Sequence, residues 1–253
     1  MPRVSIITPL HNGADFINEC MDSVQAQSLI DYEHLIIDNR STDKGPEYVA
    51  ERAENDPRIK LLSNEVAAGA APTRNVGLAA AQGKYAAFLD CDDAWLPEKL
   101  ERQIAIMEQR RLAFSWTAYK VVDHSGAELR EQRVSEAPSF HDILLKRTTI
   151  GCLTAVIDLE AIGPVTMPQG DIHEDFCLWI DILNVARSKG LGWAGIDTPL
   201  AHYRVHQGGK SANKLAAMRM HWRSCRNHLG LSLPVAGLCF ASYASNALKD
   251  RAR

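Results

Sequence analysis

No Cys-x-x-Cys pair occurs among the six cysteines, which stand at positions 20, 91, 152, 177, 225 and 239, so the spacing of a zinc ribbon is missing. A chain of 253 residues is also long enough to bury a large core without disulfide staples. The cysteines are therefore expected as reduced, mostly buried thiols of a cytosolic protein. Basic residues are not in excess: 28 Lys and Arg against 31 Asp and Glu give a formal net charge of −3, and no case arises for non-specific nucleic-acid binding. The opening MPRVSIITP has no signal-peptide h-region and reads as the start of a strand. The longest apolar stretch, LSLPVAGLCFASYASNAL, is interrupted by Pro234, serines and Asn246, and it falls short of the roughly 20 strongly apolar residues that span a bilayer. It is expected to pack as a terminal helix; contact with a membrane surface, helped by Lys249, Arg251 and Arg253, is the alternative. No Gly-x-Gly-x-x-Gly follows the first strand, which argues against a dinucleotide dehydrogenase. GGKS fails as a P-loop because Arg204 stands where the upstream glycine must be, and HEDFC fails as a zinc-protease helix because Cys177 stands at the second His position. There is no internal repeat, low-complexity tract or linker.

What is present is alternation. Apolar, β-branched runs at 4–8, 34–37, 59–62 and 85–89 read as strands, and 14–27, 46–55, 73–81 and 97–109 as helices. This predicts an α/β fold with a Rossmann-like, mostly parallel sheet flanked by helices. Ligands in such sheets bind beyond the carboxyl ends of the strands, here Thr8-Pro9, Asp38-Asn39, Asn64 and Asp90-Cys91-Asp92. After residue 112 the pattern changes. Segments 114–122 and 129–134 are expected to pair as an antiparallel hairpin, 152–157 to form a strand, 174–189 a helix, and 192–194 and 200–205 two further strands. Two helices with a break near Pro234 close the chain. The chain thus divides into 1–111, a smaller mixed region at 112–211, and C-terminal helices at 212–253, with the first two parts fused in one compact unit.

The stretch YAAFLDCDDAWLP sets Asp90, Asp92 and Asp93 within four positions of a buried strand. Like charges about 5 Å apart repel by roughly 3 kcal/mol at an effective dielectric near 20. Asp93 is readily explained as a cap of the helix that begins near Pro97. Asp90 and Asp92 share a face in extended geometry. A divalent cation relieves their repulsion, and hard oxygen ligands favour Mg²⁺ or Mn²⁺, which would suit a nucleoside diphosphate held between metal and protein. Asp38, before the turn NRSTD, can accept from a nucleobase N–H or a ribose hydroxyl, or simply stabilise the turn. Arg74, beside Asn75, can meet phosphate or base, or form a surface ion pair. His206 in HYRVHQGGKS can ligate the metal or serve as a structural group. Arg204, Lys210 and Ser211 can cradle phosphate, with Gly208 and Gly209 loosening the loop, unless this is merely a flexible polar loop.

Five ordered segments carry a resemblance: VSIITPLHNGADFINECMDSVQAQS, YEHLIIDNRSTD, APTRNVGLAAAQGKYAAFLDCDDAWLPEKL, HEDFCLWIDIL and HYRVHQGGKS. Together they resemble a family 2 glycosyltransferase of the GT-A fold, up to about residue 211. The resemblance implies inverting sugar transfer from a nucleotide donor with a divalent metal, Mn²⁺ or Mg²⁺. By position, Thr8 and Pro9 would line the nucleotide pocket, Asp38 would read base or ribose, and Arg74 would hold the nucleotide. Asp90 would contact ribose or metal-bound water, and Asp92 would ligate the metal. Asp175, beside Glu174, matches the general base, with Asp171 and Asp181 as competitors. A UDP-sugar is the default donor. Asn39 and Arg40 stand where the family often has an acid and a glycine, which keeps GDP- and dTDP-sugars open. By analogy with the family, the expected acceptor is a glycan or lipid-linked hydroxyl in surface-polysaccharide biosynthesis, reached from the cytoplasm at the inner membrane face. A non-catalytic nucleotide-sugar-binding module of the same fold is the alternative.

Overall fold

The structure is a computed structural model that describes residues 1–205 and 214–249. His206, Gly208, Gly209, Lys210, Ser211, Arg251 and Arg253 lie outside the described residues. In chain order the strands are β1 (Val4–Leu10), β2 (Tyr32–Asp38), β3 (Ile59–Ser63), β4 (Tyr85–Phe88), β5 (Ala94–Trp95), β6 (Leu112–Val122), β7 (Glu128–Gln132), β8 (Val156–Asp158) and β9 (Gly192–Arg204). The helices are α1 (Ile17–Gln25), α2 (Gly45–Asn55), α3 (Ala70–Ala80), α4 (Lys99–Arg110), α5 (Phe140–Leu144), α6 (Leu159–Ile162), α7 (Glu174–Ser188), α8 (Lys214–Arg223) and α9 (Leu233–Lys249). A 3-10 turn occupies Cys152–Thr154, and a π-turn occupies Ser224–His228.

All described strands join one sheet in the order β3-β2-β1-β4-β8-β6-β9-β5, with β7 beside β6. The first four are parallel, and β8 runs antiparallel between β4 and β6. Side chains alternate across the pleat, so β1 sends Val4, Ile6 and Leu10 to one core and Ile7 to the other. Helix α1 covers the first core through Ile17, Cys20, Met21 and Val24, spaced three and four apart. The opposite core takes Phe88, Phe114 and Trp116 from the sheet and Trp179 from α7. Gly77 lets α3 lie close on that face: a Cβ there would meet Ile7 at 2.6 Å and Ile37 at 2.8 Å.

Two expectations about elements need correction. Residues 152–154 form the 3-10 turn, and the strand begins only at Val156. The two short strands expected after α7 are one strand, β9, parallel to β6; register shifts near Thr117 and Ala118 absorb the interruption at Pro199.

Candidate active site

The parallel strands β1, β2 and β4 end on one edge, where their C-terminal residues meet loops that the sequence fills with turn formers. Asp38 closes β2, and its Oδ1 accepts the Ser41 N–H at 3.0 Å, which bends the chain through Arg40 at φ +62°. Asn39 is buried and acts as a clamp. Its Oδ1 accepts from Asn64 Nδ2 (2.9 Å) and from the Ala68 N–H (2.8 Å), while its Nδ2 donates to the Ala68 carbonyl. Pro9 is half-buried at the end of β1. Thr8 is fully buried, and its hydroxyl shares a 2.9 Å hydrogen bond with His34 Nε2 inside the core. Burial pulls the His34 imidazole down to about 3, so this pair is neutral.

After β4 the chain turns at once, with the Asp93 N–H donating to the Asp90 carbonyl. The three acids therefore lie on a turn and not on an extended face. Asp90 pairs with the guanidinium of Arg74, which α3 presents 8% exposed. Burial disfavours the Arg74 charge, but the Asp90 carboxylate outweighs it and holds the group above its ordinary range. The neighbouring Asn75 does other work, exchanging two hydrogen bonds with the backbone of Met167.

Asp93 does not cap α4. The Leu100 N–H near the start of that helix is bonded instead by Gln27 Oε1, from the loop after α1. Asp93 is 3% exposed; its Oδ1 accepts the Arg204 N–H at 2.8 Å, and its Oδ2 is buried with no hydrogen-bond partner among the described residues. Burial first, then repulsion from Asp90 and Asp92, push its carboxyl well above the usual range.

Arg204 is likewise not a phosphate group in waiting. It is 4% exposed, and Nη2 makes two 2.7 Å bonds to the Glu19 carboxylate. Its Nε donates to the Asp92 carbonyl, and Nη1 donates to the carbonyls of Asp123 and His124. The residue staples the acidic turn to α1 and to the β6–β7 hairpin.

A cleft of about 340 Å³ opens beside the acidic turn. Arg74, Asp90 and Asp93 line it together with Glu174 and Asp175, at the N-terminus of α7. Tyr119, Tyr203 and the 3-10 turn complete it. The two tyrosine rings meet edge to face at 6.0 Å, and burial raises both phenols, Tyr119 to about 12. The 3-10 turn is fixed from behind: Trp95 Nε1 donates to the Leu153 carbonyl (2.7 Å), and Gln103 Nε2 donates to that of Thr154 (2.9 Å). Asp92 is half-buried; it does not line this cleft and anchors the turn through its carbonyl.

The competing bases are placed elsewhere. Asp171 is ion-paired with Arg223, and Asp181 bonds His228 at 2.7 Å. A second cavity, about 280 Å³, lies beyond Asp175, and Asp175, Thr149 and Ile150 line both spaces. Tyr119, Tyr203 and this second cavity carry no signal in the sequence beyond the HYR of β9, whose arginine reads as a phosphate contact.

A cation fits the acidic turn on its donor chemistry. Carboxylate oxygens are hard ligands, and the turn keeps a buried oxygen of Asp93 without a hydrogen-bond partner among the described residues. No group of three or more potential ligating side chains is preassembled among the described residues. Mg²⁺ commonly takes only one or two carboxylates, with waters and substrate phosphates filling the rest. The six cysteines are free thiols, as expected.

A family model described as glycosyl transferase family 2 matches residues 5–157. The chain is 38% identical over 250 residues to the putative teichuronic acid biosynthesis glycosyltransferase TuaG of Bacillus subtilis, covering 99% of this chain and 98% of that one. It is 35% identical over 223 residues to the Escherichia coli UDP-Glc:alpha-D-GlcNAc-diphosphoundecaprenol beta-1,3-glucosyltransferase WfgD, covering 87% and 83%. Among solved structures, TarS 1-349 of S. aureus in complex with UDP-GlcNAc superposes with a TM-score of 0.71 at 18% identity, covering 94% of this chain and 69% of that one. The mannosyltransferase PcManGT of Pyrobaculum calidifontis, in complex with GDP-Man and Mn²⁺, superposes at 0.65 with 18% identity, covering 99% and 75%.

Proposed function

Because the chain belongs to glycosyl transferase family 2 and is a glycosyltransferase of the GT-A fold, we propose that it moves a sugar from a nucleotide-sugar to a hydroxyl of a lipid-linked glycan, with inversion and with a divalent cation. One observation carries this reading. Arg74, Asp90, Asp93, Glu174 and Asp175, drawn from separate elements of the chain, line a single cleft. Residues 1–111 supply the donor side, 112–211 the acceptor side and the base, and 212–253 the C-terminal helices.

Single displacement at the anomeric carbon requires a base on the acceptor side and charge stabilisation on the leaving side. The Asp175 carboxylate takes the proton of the acceptor hydroxyl as that oxygen bonds to the anomeric carbon. The bond from that carbon to the diphosphate breaks, and its electron pair leaves with the nucleoside diphosphate. Asp175 stands with Glu174 in the first turn of α7. Asp92 and Asp90 would hold the cation, which when bound supplies Lewis-acid stabilisation to the departing diphosphate. His206 remains the further candidate ligand, and Lys210 and Ser211 the candidate phosphate contacts. Asp38 reads base or ribose, and Pro9 borders the nucleotide. The relatives support a UDP-sugar or a GDP-sugar; dTDP remains the third candidate.

No described helix is long and apolar enough to cross a membrane. The C-terminal helices nevertheless expose Leu215, Trp222, Leu233 and Leu238, and this surface is proposed to rest on the membrane that carries the acceptor lipid.

The test couples binding to turnover. UDP with Mn²⁺ should raise the melting temperature more than either alone, and EDTA should abolish the synergy. Asp175→Asn should keep that shift while transfer falls by about 10²- to 10⁴-fold. Undiminished transfer by Asp175→Asn removes the base assignment, and activity and UDP binding both indifferent to EDTA remove the metal.

A further inference from the structure

The cavity beyond Asp175 is built by three separate parts of the chain. Lys146 and the loop after α5 form one wall, Phe176 and Trp179 of α7 a second, and Tyr243 and Asn246 of α9 a third. Lys146 adopts φ +50°, a left-handed conformation that non-glycine residues rarely take without support. The support comes from α9: Ser242 Oγ donates to the Leu145 carbonyl at 2.6 Å, and Asn246 Nδ2 donates to the Lys146 carbonyl at 2.7 Å. These two residues, four apart, lie on one face of α9 and fix the turn from which Lys146 projects. Its ammonium lies 4.8 Å from the Phe176 ring centroid and 5.3 Å from that of Tyr243. No carboxylate among the described residues is ion-paired with it. The fold has thus placed an ammonium among aromatic walls, next to the proposed base, with no ion-pair partner among the described residues.

We propose that this cavity is the acceptor subsite, in which Lys146 binds the phosphate that links the acceptor sugar to its lipid. The aromatic walls then flank the pyranose, whose hydroxyl reaches Asp175 across the shared wall. This assignment rests on the reading of Asp175 as base. Burial lowers the affinity of the Lys146 ammonium for its proton, and the nearby Asp175 charge opposes that. An arriving phosphate would favour the charged form further. The occupant follows from position as well as charge. Helix α9 lines the cavity with Tyr243 and Asn246 and turns Leu238 outward, 66% exposed, so a sugar joined through phosphate to an apolar chain matches both sides of one helix.

The test uses two probes: N-acetylglucosamine α-diphosphate carrying a decyl chain, and decyl α-N-acetylglucosaminide, which lacks phosphate. Binding to UDP-loaded protein is followed by tryptophan fluorescence, since Trp179 lines the cavity. Wild type and Lys146→Arg should bind the diphosphate probe, and Lys146→Met should bind it about tenfold or more weakly, the loss expected for one charge-assisted contact. The glycoside should bind all three alike, and UDP binding checks that each variant is folded. Tight binding of the diphosphate probe by Lys146→Met, equal loss of both probes with UDP binding intact, or no binding of the diphosphate probe by wild type each overturns the proposal. Asp175→Asn separates the two readings: it should bind both probes and fail in transfer. Retained transfer there sinks the base while leaving the Lys146 pattern standing.

Discussion

Asn39 shows how one atom can decide a role. Where the family often carries a second acid, this chain has an amide whose oxygen takes two hydrogen bonds and whose nitrogen gives one to Ala68. A carboxylate has no donor for the Ala68 carbonyl and would set two acceptors against each other in a buried place. Asn39→Asp is therefore expected to cost about 1–3 kcal/mol, seen as a lower melting temperature at neutral pH. With about 2–4 °C per kcal/mol for a chain of this size, the fall should reach several degrees. An unchanged melting temperature would show that Asn39 is not the clamp. At this scale the sequence was legible where chemistry is local. Arg74, Asp90 and Asp175 are found on one cleft as their motifs suggested. It misled at Asp93, and it gave no sign of the partners of Asp93, Thr8 and Arg204, which lie 111, 26 and 185 positions away, on Arg204, His34 and Glu19 respectively. Spacing along the chain carries no trace of such partners.

Helix α4 carries a similar lesson at the scale of an element. Its inner face holds Lys99 and Gln103, four apart and both fully buried. Lys99 donates to Gln103 Oε1 at 2.9 Å and lies 4.0 Å from the Trp95 ring centroid. Burial pulls the Lys99 amine from 10.5 down to about 7. Between those values the unfolded chain binds a proton that the native chain lacks, so stability falls as pH drops from 10.5 to 7 and then levels off. Lys99→Met removes this dependence. The variant should be more stable at pH 7 by about 1–3 kcal/mol, after the lost bond to Gln103 is set against the relieved charge burial, and its advantage should shrink as pH rises. Urea melts at several pH values would measure it, and a destabilised variant with the same pH slope would refute it. The βα alternation through β4 was readable because each strand is apolar on both faces and each covering helix repeats every three to four residues. The 3-10 turn was not, because CLT suits a strand equally well and the bonds from Trp95 and Gln103 that fasten it come from distant elements. The single run of β9 was hidden by Pro199, which the register shifts tolerate.

Across the whole molecule, one sheet carries both halves, with β8 and β6 joining the parallel strands β1–β4 to β9. The C-terminal helices add an apolar surface on which Trp222 and Phe240 meet edge to face at 5.9 Å. Replacing Leu233 and Leu238 by serine should weaken sedimentation with anionic lipid vesicles by about tenfold or more, given the apolar area removed, without altering UDP binding. High salt should weaken it as well, through screening. Vesicle binding equal to wild type would move the membrane contact elsewhere. Because α9 supplies both the prop beneath Lys146 and one side of the cavity, the proposed acceptor subsite leans on a segment that lies outside the sheet, and a change in that tail would reshape the cavity while leaving the strands untouched.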